Sequence, residues 1–201
     1  MYDFFRRQLK KQGFEVRKIE LSELEELRKV AISTFIETYK TSIEREGGLE
    51  KVQEKIHGLF SPSELNQWLS NPNQICLGLY QAEPSNQLCG FSLLKIEDND
   101  AFLHKLYLLE SAKGLGLGRI MIEANYSELR QRPAVKTLKL EVGEANTEAQ
   151  RFYKKMGFRD TLIRKLYSAS STENPYYDLE YLATKQPSNA ITLPQYEEKS
   201  I

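Results

Sequence analysis

The sequence predicts a mixed α/β fold, and three observations carry that expectation. Helical spacing of apolar residues dominates the chain up to Trp68, three strand-like runs follow one another between Gln74 and Leu109, and the rest alternates strand and helix patterns. With 201 residues the chain suits one substantial core. The expected domain spans 14–184, with a charged lead-in at 1–13 and a polar, proline-containing tail at 185–201 that lacks periodicity.

Taken in order, Phe14 to Ile19 alternates apolar and polar residues, the period of a half-buried strand. Ser22 followed by Glu25 reads as a capping box, because a serine oxygen and a glutamate can satisfy two orphan amides at a helix start. Leu24, Leu27, Ala31 and Phe35 then repeat at helical spacing, and Leu49, Val52, Ile56 and Leu59 form a second such pattern. Ser61, Pro62 and Glu64 predict another box opening a short helix that carries Trp68. From Gln74 the period changes. Ile75 to Tyr80, Leu88 to Ile96 and Ala101 to Leu109 read as an antiparallel meander, joined by the turn-forming Pro84-Ser85-Asn86 and Asp98-Asn99-Asp100. A helix from about Gly116 to Arg130, a strand Thr137 to Val142, a helix Thr147 to Met156 and two further strand-like runs complete the chain.

Composition removes several function classes. Lys plus Arg equals Asp plus Glu at 28 each, so the chain lacks the net basic charge with which nucleic-acid binders displace counterions. Cys76 and Cys89 form no C-x-x-C, and the two histidines, His57 and His104, are far apart, so no metal site is expected. The N-terminal residues contain no uninterrupted apolar core and no stretch is long enough to span a bilayer, which predicts a cytoplasmic protein without membrane insertion.

The chemistry-bearing segment is Lys113-Gly114-Leu115-Gly116-Leu117-Gly118-Arg119, set between a strand and the helical run Ile120-Met121-Ile122. Alternating glycines let backbone approach a ligand, and the loop and helix start aim amides outward, which suits a pyrophosphate. A P-loop would need Gly-Lys-Ser or Gly-Lys-Thr, which is absent, and a dinucleotide fold would place the loop in a parallel βαβ unit rather than after a meander.

Downstream, Leu138 to Phe158 contains a strand, Asn146, Ala149, Phe152-Tyr153 and Gly157-Phe158 in a pattern that resembles the GNAT N-acetyltransferase family. Lys113-x-x-Gly116-x-Gly118 is similar to that family's Q/R-x-x-G-x-G/A signature, with lysine in the first place, and Leu106-Tyr107-Leu108 stands where the family has Leu-Tyr-Val. The resemblance implies a mostly antiparallel twisted sheet, splayed between its fourth and fifth strands, with helices on both faces. It implies acetyl-CoA as co-substrate, held by Leu106, Tyr107, Leu108, the loop Lys113 to Arg119, Asn146 and Tyr153, with no metal. A lysine at 113 keeps the cation but not arginine's bidentate fork.

The same resemblance implies that the Leu108 amide faces the thioester oxygen and that Tyr153 protonates the departing thiolate; an aromatic core role for Tyr153 is the alternative. A lysine-like amine is almost wholly protonated at neutral pH, so a base or water chain is needed. His104, which shares the parity of Leu106 and Leu108, and Glu141 are the two candidates. Thr34-Phe35-Ile36-Glu37-Thr38-Tyr39 is similar to a segment of PaiA-type polyamine acetyltransferases, which makes Glu37 and Tyr39 substrate-binding candidates, with Glu44, Glu46, Glu50 and Glu54 nearby. A protein or peptide N-terminus is the alternative acceptor, and an acetyl-CoA-binding module without turnover the alternative function. The run Tyr176, Tyr177, Leu179, Tyr181 and Leu182 offers a sheet edge or interface for a homodimer.

Overall fold

A computed structural model describes residues 9, 10, 12–82, 84–143, 146–159, 164–167 and 176–183. The expected tail at 185–201 and most of the lead-in lie outside these residues, although Leu9 is buried within the core. The strands are β1 (Phe14–Lys18), β2 (Gln74–Gln81), β3 (Leu88–Glu97), β4 (Asp100–Leu108), β5 (Thr137–Gly143), β6 (Arg164–Tyr167) and β7 (Tyr176–Ala183). The helices are α1 (Leu24–Thr38), α2 (Lys40–Arg45), α3 (Leu49–Leu59), α4 (Pro62–Ser70), α5 (Leu117–Arg130) and α6 (Thr147–Lys155). Among the described residues the strands form one sheet in the order β1-β2-β3-β4-β5-β7-β6, antiparallel throughout except for β4 and β5.

The period-2 pattern of the strands sorts their side chains onto two faces, and each face has its own core. On one, Ile75, Leu77, Leu79, Leu103 and Leu140 pack under Leu117, Ile120 and Met121 of α5, with Tyr153 of α6. On the other, Cys76, Tyr80, Phe91 and Leu93 meet Leu27, Val30 and Ala31 of α1, Val52 and Ile56 of α3, and Leu65 and Trp68 of α4. Leu79 and Leu117 are fully buried, so truncating either to alanine costs about 2–5 kcal/mol.

Two caps differ from the sequence expectation. The box before α1 is made by Glu20 and Glu23 around a single 3₁₀ turn, not by Ser22 and Glu25, because Glu23 is also drawn into a bidentate pair with Arg17 of β1 at 2.7 Å. Ser61 caps α4 by accepting the Glu64 amide at 3.3 Å, but the Glu64 carboxylate turns to the Trp68 indole instead of closing the box. The C-terminal run is internal as well: β7 pairs with β5 on one side and β6 on the other, so its backbone is not a free edge.

The sheet opens at one place. β4 and β5 pair in parallel only from Asp100↔Thr137 to Leu103↔Leu140. Directly after Leu103, the β3–β4 register jumps from Leu94↔Leu103 to Leu93↔Lys105, which makes His104 an extra, bulged residue. A bulge bends its strand and sharpens its twist, and here the bend coincides with the end of pairing to β5. Ala101 and Leu103 before the bulge and Leu106 and Leu108 after it therefore share one face of the sheet.

Candidate active site

Beyond the bulge the facing edges of β4 and β5 enclose a cleft of ≈ 270 Å³. Its walls are His104 to Leu108 of β4, Glu141 to Gly143 of β5, Asn146, Ala149 and Tyr153 at α6, Thr38 and Tyr39 at the end of α1, and Lys113. The far edges of both strands remain paired, β4 to β3 as far as Leu108 and β5 to β7 as far as Gly143. The backbone groups left over on the inner edges thus face the opening. For Leu108 the direction follows from its neighbour. The Leu109 amide donates to Cys89 O of β3 at 2.8 Å, and since extended residues alternate, the Leu108 amide points the other way, into the cleft. Gly90 permits this packing, because a Cβ there would lie 2.6 Å from Tyr107 O and 2.5 Å from Leu108 Cδ2.

The glycine loop borders the cleft at Lys113. Gly114 and Gly116 both hold φ of +75°, a left-handed conformation that L side chains disfavour, and Gly116 is the residue before the first turn of α5. A Cβ at either would meet nothing within 4 Å, so packing does not demand glycine there. Among the described residues, no backbone hydrogen bond uses the amides of Gly114, Leu115, Gly116, Leu117 or Gly118. Five successive unsatisfied donors at a helix start form an anion cradle. Gly118 has a different reason: a Cβ would stand 3.3 Å from the Phe152 ring. Arg119 follows in the first turn of α5.

Lys113 is held by carboxylates. Its ammonium donates to Glu110 at 2.7 Å and Glu37 at 3.1 Å, and although burial opposes the shift, these bonds keep it above its usual pKa range. Glu37 therefore ties the loop to the end of α1 and does not line the cleft, whereas Tyr39 does, together with Tyr107. Glu44, Glu46, Glu50 and Glu54 do not line it either.

Asn146 caps α6, its Oδ1 accepting from the Ala149 amide at 3.1 Å, and this fixes the helix that delivers Tyr153. Tyr153 is 9% exposed, packs edge-on to Phe152 and Phe158, and burial raises its phenol pKa well above the usual value. His104 keeps solvent access at the cleft mouth, yet desolvation of the ring, with the ammonium groups of Lys95 and Lys105, lowers its pKa to about 4, against an opposing pull from Glu141. At neutral pH the imidazole is uncharged.

The structure thus gathers Leu106, Tyr107, Leu108, His104, Glu141, Asn146, Tyr153, Tyr39 and Lys113 around one opening. Lys105 is the charged residue that sequence reasoning passed over; a lone lysine inside an apolar strand was its signal. Among the described residues there is no group of His, Cys, Asp or Glu able to hold a metal, and no helix is long and apolar enough to cross a membrane.

Among the described residues the sheet opens at its only parallel pair, beside an amide cradle, which suits an acyl-CoA-dependent acyltransferase. Residues 37–158 match the acetyltransferase (GNAT) family, and the chain belongs to it. It is an N-acetyltransferase with acetyl-CoA as co-substrate. An uncharacterised N-acetyltransferase of Mycobacterium tuberculosis is 26% identical over 157 residues, covering 78% of this chain and 96% of the relative. The ribosomal protein bS18 alanine N-acetyltransferase of Escherichia coli is 27% identical over 116 residues, covering 58% of this chain and 76% of that protein. In fold, the chain is similar to the PaiA N-acetyltransferase of Thermoplasma acidophilum, solved in complex with coenzyme A, with a TM-score of 0.64, 24% identity and coverage of 83% and 97%.

Proposed function

We propose that the protein transfers acetyl from acetyl-CoA to a primary amine by direct attack within a ternary complex in the cytoplasm. The observation that carries this reading is the end of β4–β5 pairing at Leu103 and Leu140, which leaves main-chain groups free to bond an extended pantetheine as a third strand. The free amides of Gly114 to Gly118 suit the pyrophosphate, and a solved neighbour in fold carries coenzyme A.

Each cleft residue then has a task. The Leu108 amide donates to the thioester oxygen and stabilises the charge that grows there as the amine attacks. Tyr153 stays protonated because burial raises its pKa, so it can donate to the leaving sulfur at neutral pH. His104, uncharged, accepts a hydrogen bond from a water that carries the ammonium proton towards solvent, with Glu141 beside it. With a pKa of about 4 the imidazole is too weak to hold that proton, so the proton passes on to solvent at the mouth. Tyr39 and Tyr107 form the aromatic wall of the cleft.

A polyamine is one of two competing readings of the acceptor, favoured by Tyr39 and Glu141, the aromatic face and the carboxylate that line the cleft. The test is thiol release from acetyl-CoA by purified protein against spermidine, spermine, simple diamines, amino acids and N-terminal peptides. Turnover of any amine with a free thiol as product supports the transfer reading. Coenzyme A binding without turnover of any acceptor would instead leave a binding module.

A further inference from the structure

A second cavity, of ≈ 460 Å³, lies against the α3–α4 side of β3 and β4 and shares His104 and Lys105 with the cleft. Its charged lining is lopsided: Lys55, Lys95 and Lys105 face a single carboxylate, Glu64. That carboxylate is engaged, since Glu64 Oε1 accepts the Trp68 indole N–H at 2.8 Å. Lys55 has a loose partner in Glu46 at 3.8 Å, but among the described residues no carboxylate lies within 4.0 Å of the Lys95 or Lys105 ammonium. Lys105 instead sits over aromatic faces, 5.4 Å from the Trp68 ring and 5.5 Å from that of Phe60. Burial, and then Lys95, depress its pKa below the lysine range, which records how poorly its charge is compensated.

We propose that this cavity is the acceptor pocket and that it selects a small primary amine carrying an anionic group, a carboxylate or a phosphate. The proposal rests on the acetyl-transfer reading of the adjoining cleft. Lys95 and Lys105 anchor the anion, Trp68 supplies an apolar wall, and the amine extends towards His104, which with Lys105 lines both cavities. The same lysines favour catalysis, because a positive potential disfavours the ammonium form of the substrate and raises the fraction of neutral nucleophile. A polycation would meet the opposite field and bind worst.

The test is calorimetric titration, with and without saturating coenzyme A, using O-phosphoethanolamine, β-alanine, ethanolamine and spermidine. One or both anionic amines should bind at least about 10-fold tighter than ethanolamine, roughly 1.4 kcal/mol, and which of the two binds tighter separates phosphate from carboxylate. Lys95→Met should abolish that preference while leaving coenzyme A affinity and the melting temperature at wild-type values. Equal binding of charged and neutral amines, tighter binding of spermidine, or a preference untouched by Lys95→Met would overturn the proposal. Thiol release from acetyl-CoA, measured separately with the same amines, distinguishes the two readings. Anion preference without release sinks acetyl transfer and keeps the pocket, whereas release without preference does the reverse.

Discussion

Replacing Gly116 by alanine should separate what the glycine loop does for the fold from what it does for the ligand. Gly116 has φ of +75° and an added Cβ meets nothing within 4 Å, so the whole folding cost is backbone strain. For an alanine in the left-handed region that is about 1–2 kcal/mol, or roughly 2–8 °C in melting temperature for a chain of this size. Gly13 supplies a matched control, with φ of +74° and equally open surroundings, but it sits before β1, away from the glycine loop. Gly13→Ala should therefore cost the same stability. The ligand effect should differ. At 116 the methyl group is carried by the middle residue of a run of amides that no backbone acceptor uses, and displacing one charged oxygen from them forfeits about 1.5–3 kcal/mol, which is roughly 10- to 150-fold in dissociation constant. Thermal unfolding and calorimetric titration with coenzyme A read the two quantities on the same samples. Equal coenzyme A affinity in the two variants, at equal loss of stability, would refute the cradle and leave the loop as a helix entry only.

The remaining predictions concern the acid and the anchor of β1. Tyr153→Phe removes one hydroxyl from a buried, aromatic-packed ring, so kcat should fall about 100-fold with coenzyme A affinity nearly unchanged; unaltered turnover would eliminate Tyr153 as the acid. Glu23, paired with Arg17, also accepts the Tyr80 hydroxyl at 3.1 Å, and its pKa falls to about 2, chiefly through the Arg17 bonds. The group is depressed, so its stabilisation is complete above the unfolded carboxylate value of 4.5 and is lost as pH drops towards about 2. Glu23→Gln should cost about 1 kcal/mol at pH 7, allowing for the solvent exposure of the pair, and the gap to wild type should close between pH 4.5 and about 2 in denaturant melts; a gap independent of pH would show that the pair contributes nothing.

What the sequence disclosed and what it hid divide along the range of the interactions involved. The glycine loop, the Asn146 cap and the helix that carries Tyr153 are local devices, each written in a few consecutive residues, and all were legible. The cap before α1 was misplaced because Glu23 answers to Arg17 and Tyr80, partners from two strands that no local window contains. Lys105 was overlooked because its environment is made by Phe60 and Trp68, far away in the chain. Glu37 looked like a substrate carboxylate on an acidic helix, yet its partner is the loop lysine 76 residues on. Alternation groups His104 with Leu106 and Leu108, but His104 is the bulged residue, and what alternation could not supply is that Leu103 shares the face of Leu106 and Leu108. That single unpaired residue connects fold to function. A regular β4 would carry its pairing with β5 past Leu103 and satisfy the same inner-edge groups that the cleft exposes. A bulge bends its strand, and this one coincides with the end of β4–β5 pairing, with the cleft beyond it and with the position of His104 at both cavities.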